Sequence, residues 1–354
     1  MSTIQGSAAV SPVPPRTSTE DFPGGGLRFD LTAAALACWP VFGLYLDGFA
    51  HVNLGVVETF LTPWHALLYS GVVALAGFYG FHEVQNVRRG HDWRRALPRG
   101  YGLSLLGVGI FLLGGGVDFS WHSMFGFEVN VETLLSPPHV MLALGATLMF
   151  TGPLRAALWR SSDETPPGWA GLLPTMLSLL LLLSILTFFT QYVHFTTDPE
   201  LFVGTRPATP YLADLLGAAS TIIYAMTLMA IVLYALRCWT LPLGSMTLLI
   251  SGNTVMMFLM RYKANVAHVW PVLAVVGAGV LADVILVRLN PSARRPMAFH
   301  AFAFLVPSLV FLAYNVTLVA TVGTWWSVHM WLGVPIQAGA VGLLVSYLAL
   351  PPAQ

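Results

Sequence analysis

Val117–His139 reads VDFSWHSMFGFEVNVETLLSPPH. Long apolar runs flank it, and between them stand Asp118, His122, Glu128, Glu132 and His139. The stretch is a second copy. Asp47–His65 reads DGFAHVNLGVVETFLTPWH, with Glu58 in its loop. Asp118 lies 71 residues after Asp47, as His122 does after His51, while Glu132 and His139 lie 74 after Glu58 and His65. Both copies share D-x3-H followed by E-T-[FL]-L-[TS]-P-x-H, with three extra residues in the second loop. Metal-capable residues repeated at the ends of apolar runs set the reading of everything around them.

Moving outward, the chain has 354 residues, 56% hydrophobic and 9% charged. Soluble domains carry about 25% charged residues, so this is an integral membrane protein. Its net charge is zero, which gives no footprint for nucleic acid. A spanning helix needs about 20 apolar residues. Ten runs qualify: 31–51, 63–82, 101–123, 137–158, 170–194, 210–237, 241–260, 267–289, 298–321 and 328–350. They are long and continuously apolar, unlike the short alternating strands of a barrel. Helices satisfy their own backbone in lipid, so the expected fold is an all-α, polytopic transmembrane bundle of about ten helices. Residues 1–29, rich in Pro, Ser, Thr and Gly, read as a disordered cytoplasmic tail. Residues 30–160 form a four-helix region carrying the duplicated hairpins, and 161–354 a six-helix region. Cys38 and Cys238 make no CxxC and no disulfide framework.

Basic residues gather in cytoplasmic loops. Arg88, Arg89, Arg94, Arg95 and Arg99 follow the second run, Arg155 and Arg160 the fourth, Arg237 the sixth, and Arg288, Arg294 and Arg295 the eighth. Both termini are therefore expected in the cytoplasm. Arg261 and Lys263, after the seventh run, dissent and are expected to neutralise carboxylates such as Asp198 or Glu200. This orientation places seven of the ten histidines, with Asp47 and Asp118, at the outer face of a plasma membrane.

Asp47 and His51 are four apart, so a helix puts them on one face one turn apart. Asp118 and His122 repeat this. Thr62-Pro63 and Ser136-Pro137 are helix-start signals, an N-cap followed by Pro in the first helical position. His65 and His139 then fall in the first turn of the returning helix. Each hairpin thus offers two histidines and one carboxylate, with room for an exogenous molecule. That set suits copper or non-haem iron, and zinc with an open fourth position is a further option. A lone His or Asp at a membrane boundary reads more simply as a hydrogen-bonded interfacial residue. A three-residue pattern repeated on one side does not. The spacing leaves open whether the hairpins hold two metals or close around one dinuclear centre.

At these residues the chain resembles the C subunit of the particulate methane and ammonia monooxygenases, the copper membrane monooxygenase family. The resemblance lies in the two D-x3-H sets about seventy residues apart, Trp121-His122, and the tail Glu58-Thr59-Phe60-Leu61-Thr62-Pro63-Trp64-His65. It covers roughly residues 31–158. It implies that Asp47, His51 and His65, and Asp118, His122 and His139, are copper ligands on the periplasmic side. It also implies oxidation of a small hydrophobic substrate with dioxygen, other membrane subunits and a redox donor. The family's Arg before the acidic-Thr pair is replaced here by Val57 and Val131, and its Asn at the second set is Asp118.

Glu58, Glu128 and Glu132 read either as loop glutamates at helix N-termini or as groups that orient or join the ligands. His194 and His268 are candidate additional ligands, and His329 a weaker one. Asp283 and Asp214 lie within apolar runs, where an ionisable residue suggests an ion or proton path. Met256, Met257 and Met260 suggest a soft-ligand ladder, which would make the protein a copper carrier. No P-loop, GxGxxG, H-E-x-x-H or G-x-S-x-G is present. Lipid is the one partner that composition itself requires.

Overall fold

The structure, a computed structural model, describes residues 22–54, 62–126, 131–160, 166–197, 201–203, 206 and 209–350. Glu58, Glu128, Asp198, Glu200 and most of the expected N-terminal tail lie outside these residues. No strand occurs among them. In order come α1 (Leu27–Leu54), α2 (Pro63–Arg88), α3 (Gly102–Phe125), the single turn α4 (Glu132–Leu135), α5 (Pro137–Phe150), α6 (Gly152–Trp159) and α7 (Trp169–Phe189). Then follow α8 (Pro210–Cys238), a π-turn (Thr247–Ser251) running into α9 (Gly252–Met260), α10 (Tyr262–Asn265), α11 (Val269–Leu289), α12 (Pro296–Thr321) and α13 (Val328–Ala349). The fold is an all-α polytopic bundle. Nine helical segments among the described residues are long and apolar enough to cross a membrane, with α5 and α6 counting as one.

The seventh run departs from expectation. Pro242 accepts the amide of Ser245 in a tight turn, so helix begins only beyond it, and Thr247–Met260 is too short to rank with the nine. At 1.5 Å per residue it spans about 20 Å, against roughly 30 Å of hydrocarbon. It still connects the two ends of the bundle. Leu243 O accepts from Trp169 Nε1 at the start of α7 (2.8 Å), and Met260 O accepts from Asn53 Nδ2 near the end of α1 (2.7 Å).

Asp283 explains how this short helix is held. Its carboxylate accepts the backbone N–H groups of Met246 (3.0 Å) and Thr247 (2.9 Å) and the Thr247 hydroxyl. A carboxylate at a helix N-terminus satisfies orphan donors and complements the dipole. The ion-path reading of Asp283 is replaced by this capping role. Asp283→Ala leaves those donors buried and unmet, and we expect it to cost about 2 kcal/mol. Equilibrium unfolding in detergent measures this, and an effect below about 0.5 kcal/mol overturns it.

Two buried clusters form the core. One joins α1, α2, α3 and α5 with parts of α7 and α9, and the other joins α7, α8, α11, α12 and α13. Helix α1 belongs to the first and shows two working faces. Gly43 and Asp47 face α2, and a Cβ on Gly43 would lie 2.7 Å from the Leu68 backbone. Tyr45 and Gly48 face α7 and α9. There the Tyr45 hydroxyl donates to Ser184 O (2.9 Å) and touches Met257 Sδ (3.2 Å), while the Met260 thioether lies against Gly48.

The two hairpins stand side by side without offset. Asp30, at the start of α1, accepts a hydrogen bond from the Tyr101 hydroxyl, at the start of α3 (2.7 Å). These two residues are 71 apart, the spacing of the sequence repeat. Asp47 is seventeen residues on from Asp30, and Asp118 seventeen on from Tyr101. Equal helical lengths from one shared bond, about 26 Å each, bring both ligand sets to the same end of the bundle. Arg155 and Arg160 sit at the other end. Arg155 donates to Gly100 O, Ser104 Oγ, Leu148 O and Thr151 Oγ1, and Arg160 pairs with Asp30.

Candidate metal centres

Each hairpin assembles its three residues as the helical spacing requires. In the first set, His65 Nε2 stands 3.3 Å from Asp47 Oδ2 and His51 Nε2 3.7 Å from Asp47 Oδ1. In the second, His122 Nε2 and His139 Nε2 stand 3.3 and 3.5 Å from Asp118 Oδ1. Each set's three donor atoms lie within 4.8 Å of one another. These separations exceed the roughly 2.7–2.9 Å of a charge-assisted N–H···O bond. Ligands at about 2.0–2.2 Å from a metal stand about 3.3–3.6 Å apart in a tetrahedron, which three of the four separations match, the His51–Asp47 distance being slightly wider. Asp47 Oδ1 is buried and accepts no hydrogen bond among the described residues. The residues present therefore fit a metal ion in each set.

The supporting shell differs between the copies. Thr62 is a true N-cap: its hydroxyl accepts the His65 N–H at 3.1 Å. Ser136 occupies the equivalent position but makes no side-chain cap bond. Its hydroxyl instead meets His139 Nδ1 at 2.7 Å. His122 Nδ1 lies 3.2 Å from Gly126 O. A carbonyl only accepts, so Nδ1 donates to it and the ring is held with Nε2 toward Asp118. Fixing the tautomer through the far ring nitrogen is how proteins prepare a ligating histidine.

The six residues fall into two groups of three. Between them stands Tyr69, one turn after His65 on α2, packed against Phe111 and Gly115 of α3. A cavity of about 730 Å³ opens beside it between α2 and α3, lined by Thr62, Pro63, His65, Tyr69, Gly115 and Phe119 among others. No family model, curated protein or solved structure matches the chain. The centres are thus described by their own geometry.

Glu132 opens α4, is exposed and belongs to neither set. His194 and His268 also lie outside both. His194 follows α7 and is buried, with Nδ1 held by the Thr196 amide (3.3 Å) and hydroxyl (2.9 Å). Burial pushes its pKa down to about 3, so it is neutral and pins its loop. His268 is buried where α11 begins, and His329 is exposed near the start of α13. The methionines pack on the face of α1 turned toward α7 and α9, with Met260 against Gly48. Met256 Sδ lies 3.9 Å from the Ser184 hydroxyl and Met257 meets Tyr45, on the face of α1 turned toward α7. Arg261 donates to Thr197 O (2.8 Å) and Lys263 to Asn53 O (2.9 Å), while Asp198 and Glu200, expected to meet them, lie outside the described residues. Sequence reasoning missed Tyr69 and the second role of Ser136. Their spacing from His65 and His139, four and three residues, was the available signal.

Proposed function

We propose that each Asp/His/His set binds one transition-metal ion and that the protein is a copper-dependent membrane oxidoreductase. Its substrate is a small hydrophobic molecule oxidised with dioxygen. The observation that carries this reading is the apolar cavity opening on His65, a member of a three-donor set that leaves coordination positions vacant. Copper rests on the resemblance to the C subunit of the particulate monooxygenases. Two histidines and a carboxylate also suit non-haem iron, which is the second reading. The crowding of arginines at the opposite end supports placing the centres on the periplasmic side of the plasma membrane. A redox donor and further membrane subunits belong to this proposal.

The metal, when bound, would supply the binding and reduction of dioxygen. The chain supplies the rest. Asp47 and Asp118 offset the positive charge of the ion inside a low-dielectric bundle end. Gly126 O and Ser136 Oγ orient the histidines of the second set. The cavity walls exclude water and accept an apolar molecule from the bilayer. Elemental analysis of the detergent-purified protein tests the proposal. We expect two metal ions per chain, copper by its paramagnetic resonance spectrum. A folded protein holding neither copper nor iron overturns it.

A further inference from the structure

The two sets repeat in sequence, but their surroundings do not. His51 is 35% exposed at its side chain, whereas its counterpart His122 is 10% exposed. The Asp118 set has two ring nitrogens anchored, by Gly126 O and Ser136 Oγ. The cavity is lined by His65, and none of Asp118, His122 and His139 lines it. Tyr69 forms the partition. A Cβ on Gly115 would lie 2.9 Å from the Tyr69 hydroxyl, so the absent side chain lets that hydroxyl seat against α3 one turn before Asp118. Gly116, next along, faces open space in the cavity. Leu112 and Phe119, on the same wall, are exposed on the bundle surface, so the cavity communicates with lipid.

Resting on the metal reading above, we propose a division of labour between the sets. The Asp47 set is the substrate-facing, exchangeable centre. The Asp118 set is a closed centre that keeps its ion. The cavity takes a compact, apolar molecule bearing a single polar group, entering from the bilayer with its polar end toward the Tyr69 hydroxyl and the His65 edge. The volume, about 730 Å³, lies within the range of small-molecule sites. Its polar side chains are the Tyr69 and Thr62 hydroxyls and the His65 imidazole, the Thr62 hydroxyl already accepts the His65 N–H, and the other walls are apolar, so a second polar group on the molecule would be poorly met. Tyr69 acts as a positioning residue.

The test uses the full chain in detergent, with p-cresol and toluene as probes and Cu(II) as the ion. Asp118→Ala isolates the first set and Asp47→Ala the second. We expect p-cresol to shift the paramagnetic resonance of the Asp118→Ala protein and to leave that of Asp47→Ala unchanged. Gly116→Phe, which fills the cavity, should abolish the shift. Tyr69→Phe should weaken p-cresol binding about 2- to 10-fold, the worth of one hydrogen bond, while toluene binding stays the same. A chelator should strip the first set at least about tenfold faster than the second. Equal shifts in both variants, indifference to Gly116→Phe, or equal stripping rates overturn the division of labour. Absence of copper from both variants overturns it together with the metal reading. Probe binding followed by ligand NMR on the metal-free wild type then tells the two failures apart. Binding lost in Gly116→Phe keeps the cavity as a ligand site, and unaffected binding removes that as well.

Discussion

Asp47→Ala and Asp118→Ala are each expected to lower the metal content from two ions per chain to one, and the double variant to bind none. The carboxylate is the centre of each set, because both histidines are placed by their distance to it, 3.3–3.7 Å in the first and 3.3–3.5 Å in the second. It is also the only anionic ligand among the described residues of each set. Removing it leaves two neutral imidazoles to hold a dication. Losing a group that merely orients a ligand costs 10- to 100-fold in metal affinity, so losing the charged ligand itself should exceed about 100-fold. Competition with a chelator of known affinity measures this. Ser136→Ala is the graded companion. It frees the His139 ring without removing a ligand and should weaken the second set by about 10-fold alone. Two ions retained in either Asp variant, with folding intact, defeats the assignment of ligands.

The second large effect is at the opposite end of the bundle. Arg160→Ala should destabilise the protein by about 3–5 kcal/mol, the usual result of stranding one partner of a buried ion pair. Asp30 is 2% exposed and has two partners, Tyr101 and Arg160. Without the guanidinium, the carboxylate keeps the Tyr101 hydroxyl as its remaining hydrogen-bond partner at a position almost closed to solvent. Tyr101→Phe removes only a hydrogen bond and should cost about 1 kcal/mol. Replacing Asp30 and Arg160 together by Asn and Met should recover much of the loss, since no unpaired charge remains. Denaturant unfolding monitored by helical circular dichroism separates these outcomes. An Arg160→Ala effect below about 1 kcal/mol shows that the pair is not a keystone. Because Asp30 and Tyr101 also set the relative height of α1 and α3, metal affinity should fall with stability in these variants.

Much of this was legible because it is local. Four-residue spacing put Asp47 with His51 and Asp118 with His122, and Thr62-Pro63 announced the helix that delivers His65. What escaped depends on residues distant in sequence. Asp283 looks like a charge stranded in a membrane helix until the N-terminus it caps, 36 and 37 residues earlier, comes beside it. The run 241–260 has the composition of a full span, yet the turn at Pro242 removes its first residues from the helix. Ser136 and Thr62 are equivalent in pattern, but one hydroxyl serves a backbone amide and the other a histidine ring. His194 has the chemistry of a ligand and the burial of a core residue, and only its neighbours decide between them. The cavity beside His65 has no local signature either, since it forms between α2 and α3.

The two faces of α1 have a consequence for how the chain is made. Helix α1 leaves the ribosome first, and α2 covers one face at once. The other waits for partners far along the message: Tyr45 reaches its Met257 contact across 212 residues. At the usual 5–20 residues per second of synthesis, that interval is about 10–40 s. Until α7 supplies Ser184 O, 139 residues on, the Tyr45 hydroxyl and Gly48 face lipid, or whatever insertase cradles the nascent hairpin. Asp47, His51 and His65 lie on α1 and α2 alone, so the three residues of the first centre can meet while the far face of α1 still waits for its partners.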